Sequence, residues 1–178
     1  YAYTQGIPIN RDFIESLATP GKHLIDLLAA IFYEETMKLI KPGLYRNYIT
    51  VTEETATIKG RLLLVQNIRR PQKFRTKHWC EFDEFSYDVL ENQCILYCTT
   101  LLIARVDDAG IKQKLIRIKN ILLNQEVELE RKSYSDANSI ILNRLNLRYK
   151  TVIEFCELIL KNLAYGKFSG KTRISDFT

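Results

Sequence analysis

Apolar residues recur at intervals of three and four from His23 to Ile40, with charged residues around the opposite face. That spacing places the apolar side chains on one side of an α-helix. Pro-Gly pairs at 20–21 and 42–43 flank the stretch, and proline cannot extend the hydrogen-bond ladder of a helix. The pattern predicts a helix over 23–40. Upstream, Asn10 is positioned to cap a short helix through Leu17.

The pattern changes after Gly43. Residues 45–58 are rich in Tyr, Thr, Val and Ile, which favour extended chain. Residues 74–82 partly alternate between apolar and polar, so we expect the two stretches to pair or to join one small sheet. Between them, 60–68 suits either a short helix or a further strand, and Pro71 predicts a loop.

Helical spacing returns at Asp88 and continues to Leu163. It predicts four helices, over 88–106, 107–123, 135–145 and 149–163, with a polar connector at 126–132. Asp107-Asp108 gives the second of these an acidic start, and Ser135-Asp136 is positioned to cap the third. We therefore expect an α+β fold that is mostly α. Its helical parts span about 11–42 and 88–163, and a small hairpin or sheet is inserted at about 45–83.

Composition narrows the class of protein. The chain has 178 residues, of which 46% are hydrophobic and 26% charged, and this suits one compact domain or two small ones. The longest nearly uncharged apolar stretch, 94–104, is well short of the roughly 20 residues of a membrane span. No signal peptide opens the chain, and its four cysteines form no tight framework. Because it begins at Tyr1 rather than Met, we expect an internal fragment of a longer cytoplasmic protein.

Charge is distributed unevenly along the chain. The formal net charge is +5, yet one acid-free stretch holds seven basic residues. This basic arm comprises Lys59, Arg61, Arg69, Arg70, Lys73, Arg75 and Lys77. Five acidic residues and no base follow between Glu81 and Glu91. The arm is either a solvated hairpin or a docking surface for phosphate backbone or an acidic protein face. A second basic group around Gly166 and Gly170 predicts a linker over 166–178.

One group of residues has the composition of a metal site. His78 and Cys80 are followed by Cys94 and Cys98, which lie one helical turn apart. Zinc is geometrically conceivable there, but the first pair is too tightly spaced for the usual knuckle. Free cysteines are commonly buried, so buried thiols are the favoured interpretation, and no metal ligand is assigned.

A second group superficially resembles a nuclease site. Glu130-Arg131-Lys132, with Asp107 and Asp108 upstream, mimics an acid, acid-x-Lys pattern. Such a site needs carboxylates that converge on Mg²⁺ from adjacent strands, whereas this tripeptide lies in a polar connector. A solvated charge cluster is favoured. No phosphate-binding glycine loop or nucleophile elbow occurs either, so the residues indicate a binding or scaffold module without a catalytic residue or cofactor.

An ordered set of short segments resembles the McrC family over nearly the whole chain. The segments are Gly21–Leu28, Gly43–Tyr48, Ile58–Arg61, Phe82–Asp88 leading to Asn92, and Leu145–Tyr149. McrC is the effector subunit of McrBC modification-dependent restriction systems. The resemblance implies that residues 1–165 bind a hexameric McrB-like AAA+ GTPase, insert into its central pore and stimulate GTP hydrolysis. It also implies a C-terminal PD-(D/E)xK nuclease domain, dependent on Mg²⁺ and acting on modified DNA, beyond this chain.

The resemblance also singles out individual residues. Gly60 and Arg61 match the family pattern, and Arg61 is the leading candidate for a partner contact, with a salt bridge to the acidic segment as the alternative. The other matching residues are Asp83, Asp88, Asn92, Arg148 and Tyr149. We expect these five to be structural, with Asp88 capping the following helix and with Arg148 and Tyr149 helping to pack the last helix. The alternative function is a DNA-binding module that uses 59–77 on the phosphate backbone, and a complete nuclease is least expected.

Overall fold

The computed structural model describes residues 24–69 and 76–164, the last two by backbone alone. Several predictions fall outside these residues. They are the helix from Asn10 to Leu17, the loop at Pro71, the linker over 166–178, and the placement of Arg70, Lys73 and Arg75.

The described strands all lie in one region of the chain, between two helical regions, as the pattern predicted. In chain order they are α1 (Leu24–Ile40), β1 (Asn47–Thr55), β2 (Arg61–Leu62), α2 (Leu64–Ile68), β3 (His78–Ser86), α3 (Leu90–Ile103), α4 (Ala109–Asn124), α5 (Tyr134–Asn138), a 3-10 turn (Leu147–Tyr149) and α6 (Lys150–Ala164). The fold is therefore α+β and mostly α, which confirms the prediction. No helix in the described ranges is both long and apolar enough to pass through a bilayer.

Helix α3 is the centre of the helical bundle. The helices α1, α4, α5 and α6 all pack against it, and apolar side chains from each meet in one core. Phe32 of α1, Leu96 of α3, Leu115 of α4 and Ile159 of α6 are almost fully buried there. No residue of α3 is exposed, and its fully buried residues cover more than half of the helix circumference, as expected of a helix with several neighbours.

The two stretches predicted to be extended do pair. Strands β1 and β3 run antiparallel over nine residue pairs, from Asn47 opposite Ser86 to Thr55 opposite His78. Strand β2 lies on the other side of β3, so the strand order is β1-β3-β2. Both alternatives for 60–68 occur in succession, because Arg61–Leu62 forms the strand and Leu64–Ile68 forms the short helix.

The sheet and α2 form a unit of their own, which we call the β-lobe. Among the described elements in extensive contact, strands and α2 touch one another, and bundle helices touch one another. Ile49 packs against the bundle core near the base of the β-lobe. The chain thus crosses between the two units twice, once before β1 and once after β3.

Helix α4 begins and ends with recognisable caps. Asp108 is the N-cap and accepts a hydrogen bond from the Ile111 amide at 2.8 Å, which confirms the predicted acidic start. At the other end, Glu126 adopts φ 61°. The Glu126 amide donates to the Leu123 carbonyl, and the amide of buried Val127 donates to the Leu122 carbonyl. These two hydrogen bonds form a Schellman motif.

The prediction for 135–145 was wrong in both its cap and its length. Ser133 is the N-cap: its hydroxyl accepts from the Asp136 amide, and the Asp136 carboxylate accepts from the Ser133 amide at 2.7 Å. This reciprocal pair is a capping box, and its hydrogen bonds lower the pKa of Asp136. The helix ends at Asn138. The buried Asn146 side chain then accepts from the Asn143 amide and donates to Glu91, so this segment turns instead of continuing as a helix.

The cysteines are buried thiols. Cys94 and Cys98 of α3 lie near Cys156 of α6, and the Cys98 thiol donates to the Cys156 carbonyl at 3.8 Å. Cys80 lies on β3, in the β-lobe. Within the described ranges, no three or more His, Cys, Asp or Glu side chains are grouped to hold a metal ion. Burial raises the pKa of Cys94 to about 12, with nearby Cys98 adding to the effect.

We expect the native thiols to resist a thiol-specific reagent at pH 8. All four are buried, so the reagent cannot reach them in the folded chain. For Cys94 the raised pKa adds to this protection, because only the thiolate reacts and its fraction at pH 8 falls from about 10% at a pKa of 9 to about 0.01% at a pKa of 12. Absorbance during reaction with Ellman's reagent should show four thiols in 6 M guanidinium chloride and almost none in buffer over the same minutes. A thiol that reacts as fast in buffer as in denaturant would show that it is accessible in the folded chain.

Candidate functional site

One face of the β-lobe carries polar and aromatic cross-strand pairs. Tyr48 packs against Phe85 with the rings tilted and their centroids 5.1 Å apart, and Thr50 donates to the Asp83 carboxylate at 2.9 Å. Both pairs are directly opposite in the register of β1 and β3, where side chains interact most strongly. The Arg46 guanidinium lies 4.7 Å from the centroid of Phe85. Asp83 is thus placed as a cross-strand hydrogen-bond acceptor.

The described cations of the basic arm have different surroundings. Lys59 lies over the ring of Phe82, 5.2 Å from its centroid, whereas Arg69 and Lys77 are exposed. Arg61 reaches Glu81 at 3.5 Å, yet its side chain is 78% exposed. An ion pair in water contributes only about 0–1 kcal/mol, so this contact leaves the guanidinium available to a partner. This position of Arg61 is compatible both with a partner contact and with a salt bridge to the acidic segment.

Gly60 allows the chain to pass close to β3. It adopts φ +58°, and a Cβ atom there would lie 2.5 Å from the Glu81 carbonyl oxygen and 2.7 Å from the Cβ of Phe82. The left-handed conformation and the close approach both require a residue without a side chain. This position sets the path of the arm from β1 into β2.

Helix α2 exposes aliphatic side chains on the β-lobe. Leu64 is 61% exposed, Val65 59% and Ile68 70%. An open groove of about 570 Å³ runs along this helix and is bordered by Arg61 and Arg69. The surface thus combines apolar contact area with flanking cations. Sequence reasoning did not foresee it, because an apolar run normally predicts burial.

The side chain of Asn67 holds α2 against the edge of β3. Its amide nitrogen donates to the carbonyls of Leu63 at 2.8 Å and Trp79 at 3.0 Å, and its oxygen accepts from the Trp79 amide at 3.0 Å. Asn67 therefore pairs with Trp79 as a strand backbone would. No local sequence signal marks this role, because the partner lies twelve residues further along the chain.

A buried clamp closes the base of the β-lobe. The Asn92 amide nitrogen donates to the carbonyls of Tyr45 at 2.9 Å and Tyr87 at 2.7 Å, just before β1 and just after β3. The Tyr149 hydroxyl donates to the Asn92 side-chain oxygen at 3.0 Å and accepts from the Tyr45 amide at 2.7 Å. Both side chains are fully buried. The clamp fixes both chain crossings to α3 and to the start of α6.

Arg148 secures the same loop from outside. Its guanidinium donates to the carbonyl of Gly43, which adopts φ +101° in the turn after α1. We expected Arg148 and Tyr149 to help pack the last helix. They also bind the loop between α1 and β1 across more than a hundred residues of sequence.

The predicted capping role of Asp88 was wrong. The N-cap residue of α3 is Val89, and no side chain caps that helix end. The Asp88 carboxylate instead accepts from the side chain of Gln93 at 2.8 Å and from the amide of Glu128 at 2.8 Å. It therefore ties the start of α3 to the connector that follows α4.

The residues that mimic a nuclease pattern serve separate local structures. Asp108 caps α4, and the Asp107 amide donates to the buried carboxylate of Asp26 at 3.0 Å. Glu130 pairs with Lys132 at 2.8 Å in the connector before α5. None of these residues lies on a described strand.

Comparison with known proteins identifies the family. The family model described as "McrBC 5-methylcytosine restriction system component" matches residues 1–177. This chain belongs to the McrBC family. A relative from Escherichia coli K12, the Type IV methyl-directed restriction enzyme EcoKMcrBC, is 28% identical over 168 residues. That alignment covers 90% of this chain and 46% of the relative, so the chain spans about half the length of the curated relative it matches.

Solved McrBC structures share the fold. A chain in the refined half-complex from the tetradecameric assembly of Thermococcus gammatolerans McrB AAA+ hexamers with bound McrC matches at a TM-score of 0.61 and 18% identity. The match covers 86% of this chain and 37% of that one. The cryo-EM structure of the Thermococcus gammatolerans McrBC complex also gives 0.61, at 16% identity, covering 97% and 56% respectively.

We expect the stabilising effect of the Tyr149 hydroxyl in this McrBC-family chain to weaken in alkali. Burial raises the pKa of Tyr149 from 10 to about 12, so above pH 10 the unfolded chain loses a proton that the folded chain keeps. The contribution is complete below pH 10 and is lost as pH rises through 12. Urea unfolding should show that the advantage of the wild type over Tyr149→Phe is about 1.4 kcal/mol smaller at pH 11 than at pH 8.

Tyr48→Phe, which removes the hydroxyl of an exposed tyrosine, controls for the loss of a hydroxyl as such. An advantage over Tyr149→Phe that stays constant from pH 8 to pH 11 would mean that the hydroxyl titrates alike in both states.

Gly60→Ala should disturb the β-lobe more than Gly43→Ala does. Both positions have positive φ and carry backbone strain of about 1–2 kcal/mol with alanine, but only at Gly60 does the new Cβ overlap the backbone of β3. Trp79 is the chain's one tryptophan and lies on β3, so its fluorescence reports on the lobe directly. We expect an altered emission spectrum for Gly60→Ala and a native one for Gly43→Ala, and equal spectra would refute the overlap.

Proposed function

We propose that this chain is the N-terminal region of an McrC-like subunit that docks on a hexameric McrB-like AAA+ GTPase. Docking stimulates GTP hydrolysis and couples it to DNA cleavage by a C-terminal PD-(D/E)xK nuclease domain, which holds Mg²⁺. The setting is the bacterial or archaeal cytoplasm, and the DNA is methylated or otherwise modified. In this proposal the chain binds and activates, and hydrolysis of the DNA belongs to the nuclease domain.

The exposed aliphatic side chains of α2 carry the proposal. Leu64, Val65 and Ile68 form a contiguous apolar surface on a unit that is separate from the bundle core. Exposed apolar patches rimmed by polar residues are typical of protein interfaces. The McrC of the similar solved assembly is bound to McrB hexamers, which supports a ring protein as the partner.

The flanking cations favour a partner of opposite charge at the rim. Arg61 and Arg69 border the apolar groove, and Lys77 is exposed where β3 begins. Rim charges of this kind accelerate association and orient the partner, while the apolar centre provides most of the affinity. We assign Arg61, Arg69 and Lys77 to this rim, and Leu64 and Ile68 to the centre.

The clamp gives docking a mechanical consequence. Asn92 and Tyr149 connect both ends of the β-lobe to α3 and α6, so a force on the lobe is transmitted to the helix that leads towards the C terminus. In this proposal the β-lobe is a rigid lever that keeps a fixed orientation relative to α6. Its fully hydrogen-bonded base is what resists bending.

Removing the apolar centre should weaken activation. We expect Leu64→Ser with Ile68→Ser to raise the concentration for half-maximal stimulation of the partner's GTPase about 30-fold, since each truncation removes about 1 kcal/mol of binding. The measurement is phosphate release by the McrB-like hexamer, titrated with the full-length protein. Ile141→Ser with Leu145→Ser is the matched control, because both are exposed aliphatics outside the β-lobe.

A second pair of variants separates this proposal from DNA binding by residues 59–77. If the arm tracks phosphates, Arg61→Gln with Arg69→Gln should weaken DNA binding and leave GTPase stimulation unchanged. If it docks on the ring, the pair should slow association with the GTPase and make it less dependent on salt. Stimulation unchanged in both the serine and the glutamine variants would rule out docking through the β-lobe.

A further inference from the structure

Helix α4 carries a concentration of positive charge outside the β-lobe. Its sixteen residues include Lys112, Lys114, Arg117 and Lys119 and no acidic residue. Leu115, Ile118 and Leu122 are buried, because α4 packs on α1 and α3 with that side. The first three cations are exposed, and Lys119 is half-buried at the margin.

These cations lack acidic partners among the described residues. Some described cations outside α4 do pair with an acid, as Lys38 does with Glu35 and Lys150 with Glu154. On α4, Lys114 lies over the ring of Tyr33 at 5.4 Å, a contact that orients the ammonium group without neutralising it. The nearest acids in sequence, Asp107 and Asp108, are at the helix N terminus.

A solvated surface helix normally alternates acids and bases at intervals of three or four residues. Lys114 and Arg117 instead repel each other at i, i+3, and no acid on α4 offsets that repulsion. An anionic partner would remove it. The charge pattern therefore points to a binding surface for a polyanion.

Hydrogen-bonding side chains occupy the middle of the same face. Gln113, Arg117, Asn120 and Asn124 are exposed and follow one another at helical spacing. Amide and guanidinium groups of this kind donate to phosphate oxygens and to base edges. Ile116 and Leu123 lie on one flank, between this central row and Lys112, and are 40% and 41% exposed, so the centre of the face is polar. This composition fits nucleic acid better than an acidic protein surface.

We propose that the exposed face of α4 binds the phosphate backbone of duplex DNA. The helix is about 24 Å long, which is the length of roughly seven base pairs. Contacts to phosphates carry no sequence information, so binding by this face should not distinguish methylated from unmethylated duplex. The surface is independent of docking by the β-lobe, since α4 has no extensive contact with the described strands or with α2.

The test measures how DNA affinity depends on salt. Full-length protein is titrated into a fluorescent 20-base-pair duplex at 50–200 mM NaCl, with EDTA present to prevent cleavage, and anisotropy is recorded. Lys112→Gln with Arg117→Gln should reduce the slope of log K against log salt by about 1.8, because each phosphate contact contributes about 0.9. The matched control is Arg61→Gln with Lys77→Gln, which removes the same charge from the β-lobe and should leave the slope unchanged.

A variant that adds charge provides a second test, which does not depend on loss of binding. Gln113→Lys adds one cation to the centre of the face and should steepen the slope by about 0.9. Unchanged slopes in both α4 variants, or equal losses in the α4 and β-lobe pairs, would overturn the proposal. So would loss of GTPase stimulation in the α4 pair with DNA binding intact, because that result assigns the face to the ring protein.

Discussion

One buried side-chain amide closes both crossings between the helical bundle and the β-lobe. Asn92 uses both amide hydrogens on backbone carbonyls, at Tyr45 and Tyr87, and its oxygen accepts from Tyr149. A network of buried polar groups stabilises a structure only when each donor and acceptor in it forms a hydrogen bond. In this network each of them has a partner at an ordinary hydrogen-bond distance. A network of this kind permits one geometry, because any displacement leaves a buried donor or acceptor without a partner. The orientation of the whole β-lobe therefore depends on it.

The two basic regions differ in what surrounds their charges. On the β-lobe, Lys59 lies over an aromatic ring and Arg61 faces a carboxylate, while exposed aliphatics lie between the cations. On α4, the cations surround amides, and none of them forms an ion pair with an acid in the part of the chain that the structure describes. The first composition is that of a protein interface and the second that of a phosphate-binding surface. A single net charge for the chain conceals this division.

Local patterns predicted the elements that depend on local chemistry. The period of α1, the Asp108 cap and the pairing of β1 with β3 all follow from residue spacing or propensity. The spacing of Ser133 and Asp136 is that of a capping box and did favour Ser133 as the cap, whereas the prediction relied on the adjacent pair Ser135-Asp136. Local patterns could not find contacts across the chain. Tyr149 reaches Tyr45 over 104 residues, and the Asn67 amide replaces a strand backbone that no pattern marks. For the site, charge counting found the cations of the arm, whereas the exposure of the α2 aliphatics depends on tertiary structure.

The left-handed residue that ends α4 has an evolutionary consequence. Glu126 occupies a conformation that glycine adopts without strain, and its carboxylate lies at the negative end of the helix dipole. The backbone conformation and the charge of Glu126 thus both lower the stability of the fold, at a surface position that contacts neither α2 nor the clamp. A glycine at position 126 would therefore raise the free energy of unfolding, and lineages that adapt to heat could acquire this change without altering the β-lobe.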